Sequence, residues 1–238
     1  MVTIALTVLT IGLYFWPGSA GALQFDREAL GHGELWRLLT GHLTHFGAGQ
    51  LQWDLLVFAG LGVWCEWQSR RAFVCCLAAA SLAISIGVWI LQPQFAVYRG
   101  LSGLDMALVG LLIGGLLRRA RQEHNVPTLV AGRLALTVVV AKCLYEWLTG
   151  QTIFVEALGS FAPVPLAHLI GLAVGLALAN MVDFAVHLPY PVLPTEDDRR
   201  DEISPEPGVR RRPSREGAKR WGLRCFSGAS TPTKDSAY

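Results

Sequence analysis

Charged residues are scarce in this chain of 238 residues. Asp, Glu, Lys and Arg together make up 16% of it, whereas soluble domains carry about 25%. Hydrophobic residues account for 52%. This composition excludes an ordinary soluble domain and predicts that the lipid bilayer is the solvent for most of the chain.

Cysteines show neither the paired framework of a disulfide-rich protein nor the spacing of a metal site. Most of them fall within apolar runs or at their ends, where thiols behave as small hydrophobic side chains. His42 and His45 lie close together, but no third and fourth ligand accompanies them at zinc-like spacing, so we favour hydrogen bonds within a loop. We expect no disulfide, no metal and no cofactor.

Basic residues are unevenly distributed, because half of the 20 Lys and Arg residues follow His187. The formal net charge of +2 therefore says little about partners. From the apolar composition we expect contact with the lipid bilayer and none with nucleic acid. Residues 189–238 combine mixed charge with repeated Pro and cannot bury a core. We predict a disordered cytoplasmic tail, whose RRRPSR run either touches anionic lipid or simply reinforces orientation.

Residues 1–188 contain six apolar stretches of about 15 to 22 residues, a length of helix that crosses a roughly 30 Å hydrocarbon core. Backbone groups in lipid must be satisfied within their own segment, so these stretches are helices rather than strands. The first one lacks the basic leader and cleavage pattern of a signal peptide, and we expect it to be a retained span. We predict an all-α, six-helix membrane domain with spans at 2–16, 50–67, 72–91, 101–117, 126–148 and 164–185.

The connections between spans indicate the orientation of the bundle. Lys and Arg beside a span are retained on the cytoplasmic side, and they cluster at 70–71, at 118–121 and in the tail. Six spans with both termini in the cytoplasm satisfy this pattern and leave 17–49, 92–100 and 149–163 outside. Basic residues that break the pattern by lying outside are Arg27, Arg37 and Arg99.

Polar residues inside spans are costly and therefore suggest function. Gln50, Ser102 and His168 each lie near the beginning of spans two, four and six, which all run from outside to inside in this topology. At 1.5 Å per helical residue, the three side chains share one depth just below the outer surface. We predict that they converge on one site.

Ser102 lies between Gly100 and Gly103 in the segment YRGLSGLD, where an outer loop meets span four. Glycines there let backbone approach closely, and a helix N-terminus leaves amide N–H groups free to stabilise an oxyanion. Acyl transfer to a serine requires such donors, and we include Gly100 and Leu101 among the residues that support them. The alternative is a serine that only caps the helix.

His168 stands in PLAHLIGLAVG in span six. Small residues at helical spacing let two helices approach closely in lipid, so spans four and six should bring His168 beside Ser102. An imidazole at that position can take the hydroxyl proton during attack. The alternative is a histidine that only locks two helices together. The packing glycines are Gly103, Gly110, Gly114, Gly171 and Gly175.

Lys142 and Glu146 are four residues apart near the outer end of span five. This spacing favours an ion pair within the helix. Intramembrane charges also mark proton paths, so a relay is the alternative.

Three motifs together resemble the rhomboid intramembrane serine proteases: GLSG at span four, AHLIGLAVG in span six, and ELWRLLTGHLTHF before a polar span two. The resemblance covers roughly residues 1–187. It implies a dyad of Ser102 and His168 without a third acid. It also implies a partly embedded outer loop held by Glu34, Trp36 and Arg37.

The stretch HLTHF, a WD pair in span two and YRGLSGLD are similar to the rhombosortase branch of this family. That resemblance implies a bacterial inner-membrane enzyme that cleaves C-terminal tails made of a Gly-Gly motif, a transmembrane helix and basic residues. Cleavage would occur at the outer face of the membrane. The oligomeric state is not indicated by the sequence.

Two positions depart from the rhomboid pattern. Many rhomboids place His and Asn four residues apart in span two to hold the oxyanion, and Gln50 and Asp54 stand there in this chain. Gln50 can donate through its amide, whereas Asp54 can donate only when protonated, and otherwise it orients Gln50 or His168. The departure keeps open a pseudoprotease that binds transmembrane helices without cutting them. A small transporter is disfavoured, because polar residues do not run through the full depth of the spans.

Overall fold

The computed structural model describes residues 1–150, 164–182 and 184. The predicted tail, Asp183 and nearly all of the predicted outer segment 149–163 lie outside the described residues. Within the described ranges the chain forms nine α-helices, one short 3₁₀ helix at Gly41–Leu43 and a pair of two-residue strands. The helices are α1 Val2–Phe15, α2 Ser19–Leu23, α3 Arg27–Gly31, α4 Arg37–Thr40, α5 Ala48–Gln68, α6 Arg70–Leu91, α7 Ser102–Gln122, α8 Val126–Thr149 and α9 Pro165–Met181.

The long helices α1 and α5 to α9 fall on the six predicted spans, and the architecture is that of an all-α membrane protein. Among the described helices, α6 and α8 are long and apolar enough to cross a membrane, with mean hydropathies of 2.4 and 1.6. Helices α1 and α9 are apolar but only 14 and 17 residues long. The full six-span topology therefore stays a prediction.

Local sequence explains where several helices begin. The Ser69 hydroxyl accepts a hydrogen bond from the amide of Ala72 at the start of α6, at 3.3 Å. The Asn125 side chain accepts one from the amide of Thr128 at the start of α8, at 3.0 Å. Both are N-caps that satisfy amides which have no partner inside the helix. Helix α9 begins at Pro165, which has no N–H to satisfy.

Helices α7 and α9 make the closest contact in the bundle. An added methyl group at Gly171 would collide with the carbonyl oxygen of Gly103, and one at Gly175 would collide with that of Ala107. At Gly110 a methyl group would meet the backbone of α9 in the same way. The two backbones are therefore in direct contact, as small residues permit in lipid.

The amino end of α1 is held by a buried carboxylate on α5. Glu66 accepts hydrogen bonds from the amide of Val2 at 2.7 Å, the amide of Thr3 at 2.9 Å and the Thr3 hydroxyl at 2.8 Å. Its negative charge also complements the positive end of the α1 dipole. This contact fixes the amino end of α1 against the carboxyl-terminal part of α5.

The strands are β1, Phe25–Asp26, and β2, Val97–Tyr98, which pair antiparallel. Arg27 follows β1, and its guanidinium stacks over Trp89 at 5.0 Å from the ring centroid. The same guanidinium donates hydrogen bonds of 2.8 to 3.4 Å to four main-chain carbonyls in the last turn of α6 and just after it. These carbonyls belong to Val88, Trp89, Gln92 and Phe95. Arg27 therefore caps α6 from the segment that follows α1.

We predict that Gly171→Ala destabilises the protein by about 1 to 3 kcal/mol, because the new methyl group meets backbone that cannot move aside cheaply. Thermal unfolding in detergent micelles measures the effect. Gly60→Ala on α5 is the matched control, since nothing lies within 4 Å of that methyl position, and it should leave the unfolding temperature unchanged or raise it. Equal unfolding temperatures for the two variants would contradict the tight α7–α9 contact.

Candidate active site

Ser102 is the first residue of α7 and is half-buried. Gly100 precedes it with a φ of 122°, a conformation that L side chains rarely adopt. The backbone bonds of the helix begin with the amide of Asp105, which donates to the carbonyl of Leu101 at 2.9 Å. The amides of Ser102 and Gly103 come before that bond and have no partner inside the helix. They are candidate donors to a developing oxyanion.

His168 lies in the first turn of α9 and is 8% exposed. A methyl group at Gly103 would come within 3.3 Å of the carbonyl oxygen of Ala167. The residue before Gly103 is Ser102 and the residue after Ala167 is His168, so both lie at this helix crossing. Within the described part of the chain, no hydrogen bond joins the Ser102 hydroxyl to His168; the imidazole bonds instead through Nδ1.

The partner of His168 is Glu146 on α8. The Nδ1 atom of His168 lies 3.1 Å from Oε2 of Glu146, whose side chain is 2% exposed. Nζ of Lys142 lies 2.9 and 3.0 Å from the two carboxylate oxygens. The ion pair of Lys142 and Glu146 is the one expected from their spacing, but the contact with His168 is not. The only signal for it in the sequence is that Glu146 and His168 share one predicted depth.

Gln50 holds the backbone that leads into Ser102. Its Oε1 accepts from the amide of Phe46 at 3.0 Å, and its Nε2 donates to the carbonyl of Arg99 at 3.1 Å. A methyl group at Gly100 would collide with this Nε2. The Gln50 amide therefore fixes the loop position, and Gly100 leaves room for it.

Asp54 contacts the same loop. Its Oδ2 accepts from the amide of Leu101 at 2.9 Å and lies 3.1 Å from Nε2 of His45. The carboxylate thus acts as an acceptor toward backbone and is bonded to His45 rather than to Gln50 or His168. Because the Leu101 amide is engaged, the amides of Ser102 and Gly103 are the candidate oxyanion donors at the start of α7.

Arg99 joins this loop to the segment after α1. Its Nε donates to Oε1 of Gln24 at 2.7 Å, and its Nη1 donates to the carbonyl of His45 at 3.4 Å. The guanidinium also stacks over the Phe46 ring at 4.7 Å. These bonds give a structural reason for a basic residue in a loop that is predicted to lie outside.

Glu34, Trp36 and Arg37 lie together in the segment before α5. The Arg37 guanidinium is 2.6 Å from Oε2 of Glu34 and donates to the carbonyls of Gly21 and Gln24 at 2.9 and 3.0 Å. The indole Nε1 of Trp36 donates to the carbonyl of Ala22 at 3.3 Å. Arg37 is buried, and its guanidinium links this segment to the residues that follow α1.

His42 and His45 face different partners. Nε2 of His42 lies 3.1 Å from the carbonyl oxygen of Ser81 and 3.2 Å from the Ser85 hydroxyl on α6. A carbonyl can only accept, so this nitrogen carries the proton. Complete burial lowers the pKa of His42 to about 4. Over residues 1–150, 164–182 and 184, no cluster of His, Cys, Asp or Glu side chains is arranged to hold a metal ion.

A family model described as the Rhomboid domain matches residues 32–183, more than half of the chain. The matched region includes Gln50, Ser102 and His168. The chain therefore belongs to the rhomboid family. No curated protein sequence matches it.

Membership of this family, together with the apolar helices, makes the chain a membrane protein. Its class is that of the rhomboid-family intramembrane proteases and pseudoproteases, which act on membrane-protein substrates in the bilayer. Family membership alone does not separate a cutting member from an inactive one.

We predict that the folded state loses stability as the pH falls from about 6.5 to about 4. The pKa of His42 is about 4 in the folded state and about 6.5 in an unfolded chain, so the unfolded state binds more protons in this window. Stability from a neutral His42 is fully present above the window and lost below it. The loss can reach about 3 kcal/mol.

Chemical unfolding of the wild type and His42→Gln at several pH values measures this contribution. Glutamine can donate to the Ser81 carbonyl but does not titrate. The difference in unfolding free energy between the two proteins should change by up to about 3 kcal/mol across the window. Parallel pH dependences would show that His42 is not held neutral.

We predict that Asp54→Ala lowers the free energy of unfolding by about 1 to 3 kcal/mol, because the Leu101 amide is left buried without an acceptor. Asp54→Asn keeps an oxygen in place and should lose less. Gln52→Ala, at an exposed position on the same helix, is the control. Equal unfolding temperatures for Asp54→Ala and Gln52→Ala would show that the Leu101 contact contributes nothing.

Proposed function

We propose that this chain is an intramembrane serine endopeptidase with Ser102 as nucleophile and His168 as general base. The observation that supports it most is the close approach of Gly103 on α7 to Ala167 on α9. It puts the neighbouring Ser102 and His168 at one helix crossing, as a nucleophile and its base require.

The mechanism follows from the groups at this crossing. Oγ of Ser102 attacks the carbonyl carbon of the scissile peptide while Nε2 of His168 takes the hydroxyl proton. The oxyanion accepts hydrogen bonds from the amides at the start of α7. His168 returns the proton to the leaving amine, the C–N bond breaks, and water then hydrolyses the acyl-enzyme by the same route.

The substrates that we propose are membrane-anchored proteins with a C-terminal tail of Gly-Gly, a transmembrane helix and basic residues, as the rhombosortase resemblance implies. The motifs that carry the rhombosortase resemblance meet beside the proposed nucleophile. His45 of HLTHF, Asp54 of the WD pair and Arg99 of YRGLSGLD lie in contact around the loop that precedes Ser102. We further propose a bacterial inner-membrane location with six spans and cytoplasmic termini. Cleavage then occurs near the outer face.

A non-cleaving pseudoprotease that binds transmembrane helices is the second candidate. It is favoured by the engagement of the Leu101 amide by Asp54 and of the Gln50 amide by the Arg99 carbonyl. The Leu101 donor is then unavailable to an oxyanion, and the Gln50 amide keeps only one of its two N–H donors. Losing one such donor typically lowers kcat by about 10²-fold to 10³-fold, which slows a protease without abolishing its reaction.

Co-expression with a reporter that carries a Gly-Gly, transmembrane and basic tail tests the proposed function. We expect the wild type to release the tail, and Ser102→Ala and His168→Ala to reduce processing by at least about 100-fold at equal membrane levels. A fluorophosphonate probe should label the purified wild type at Ser102 and leave Ser102→Ala unlabelled.

A reporter without Gly-Gly tests the proposed substrate separately from the proposed catalytic mechanism. A protease of another specificity would cut both reporters, or it would react with the fluorophosphonate probe without cutting either reporter. Tail binding without labelling or cleavage by the wild type would favour the pseudoprotease. Processing that survives Ser102→Ala would sink the proposed mechanism.

A further inference from the structure

A buried carboxylate lies against the base of the proposed dyad, and the rhomboid resemblance implies no such group. We infer that Glu146 is a positioning residue that sets the tautomer and orientation of His168 through Nδ1. This inference rests on the proposed protease function and extends the dyad to an arrangement of Ser102, His168 and Glu146.

The charges at this contact settle which atom donates. Both oxygens of Glu146 lie within 3.0 Å of Nζ of Lys142, and this pairing favours the ionised carboxylate. An ionised carboxylate only accepts hydrogen bonds. The proton between Glu146 and His168 therefore belongs to Nδ1 of the imidazole.

A neutral imidazole carries one proton, so protonation of Nδ1 leaves the lone pair on Nε2. General-base catalysis by His168 requires a free lone pair on the nitrogen that takes the Ser102 proton. Once His168 has taken the Ser102 proton, the imidazolium carries a positive charge 3.1 Å from Glu146. The carboxylate thus stabilises the charge that develops in the transition state, which affects kcat more than KM.

A purely structural lock between α8 and α9 is the competing explanation. Helix α8 buries few residues, namely Gly132, Cys143 and Glu146, so the contact with His168 also helps to hold α8 in place. Yet a lock needs no charge, and an ionised group costs free energy in a membrane domain. Lys142 compensates that charge, and an isosteric glutamine could replace the carboxylate in a lock.

Three variants, assayed on the tail reporter and with the fluorophosphonate probe, test this inference. Glu146→Gln keeps the shape and an oxygen acceptor but removes the charge, and we expect kcat to fall by about 10-fold to 100-fold with KM within about twofold. Probe labelling of Ser102 should slow in parallel. Glu123→Gln is the matched control, since it removes a carboxylate from the exposed ion pair with Arg119 on α7, and it should behave as the wild type.

The double variant Glu146→Gln with Lys142→Gln removes both charges and separates the two explanations. If Glu146 only neutralises Lys142 or locks the helices, the double variant recovers the wild-type kcat, and the inference is overturned. If Glu146 positions His168, kcat stays low although the unfolding temperature recovers. Should Glu146→Gln alone unfold, the double variant still gives this answer, because it contains no unpaired Lys142.

Failure of the inference is distinguishable from failure of the proposed function. If the wild type neither cuts the reporter nor reacts with the probe, the protease proposal fails and the inference fails with it. If the wild type is active, Ser102→Ala is inactive and both Glu146 variants keep the wild-type kcat, the inference alone fails.

Discussion

The backbones of α7 and α9 touch because glycines remove the side chains that would otherwise separate them. At Gly110, Gly171 and Gly175 there is no space for even a methyl group, because backbone of the facing helix lies too close. Lipid provides no hydrophobic drive for two apolar helices to associate, so this contact depends on close packing. The register of that packing determines which residues of the two helices meet, and near their amino ends Gly103 approaches the carbonyl of Ala167.

Around this contact, side chains form hydrogen bonds with the backbone N–H and C=O groups of loops and helix ends. Gln50 and Asp54 bind the backbone from Arg99 to Leu101, and Arg37 takes two carbonyls of the segment after α1. A buried amide or carbonyl without a partner costs about 1 to 3 kcal/mol, so each of these bonds avoids a penalty as well as joining two segments. Side chains from other segments of the chain therefore determine the backbone conformation of the loop that precedes Ser102.

The helices could be predicted from the sequence because the length of an apolar run and the need to satisfy backbone groups in lipid are local properties. Rows of small residues at helical spacing are also a local signal for close approach of two helices, and Gly110, Gly171 and Gly175 lie where α7 and α9 meet. The partner of His168 could not be predicted, because the rotation of α8 about its axis is set by tertiary packing. The acceptor role of Asp54 toward Leu101 depends on a loop conformation that has no periodic pattern, and β1 and β2 are too short to leave one.

Arginine and lysine are counted alike when topology is inferred from sequence, but the segment that follows α1 in this chain distinguishes them. The Arg27 guanidinium serves four carbonyl groups at the end of α6 while lying flat on the Trp89 ring. A lysine has its donors on a single atom and has no planar face, so it could not reach these carbonyls together. Arg27 is therefore part of the hydrogen-bonding framework of the fold, and its position in the sequence carries little information about topology.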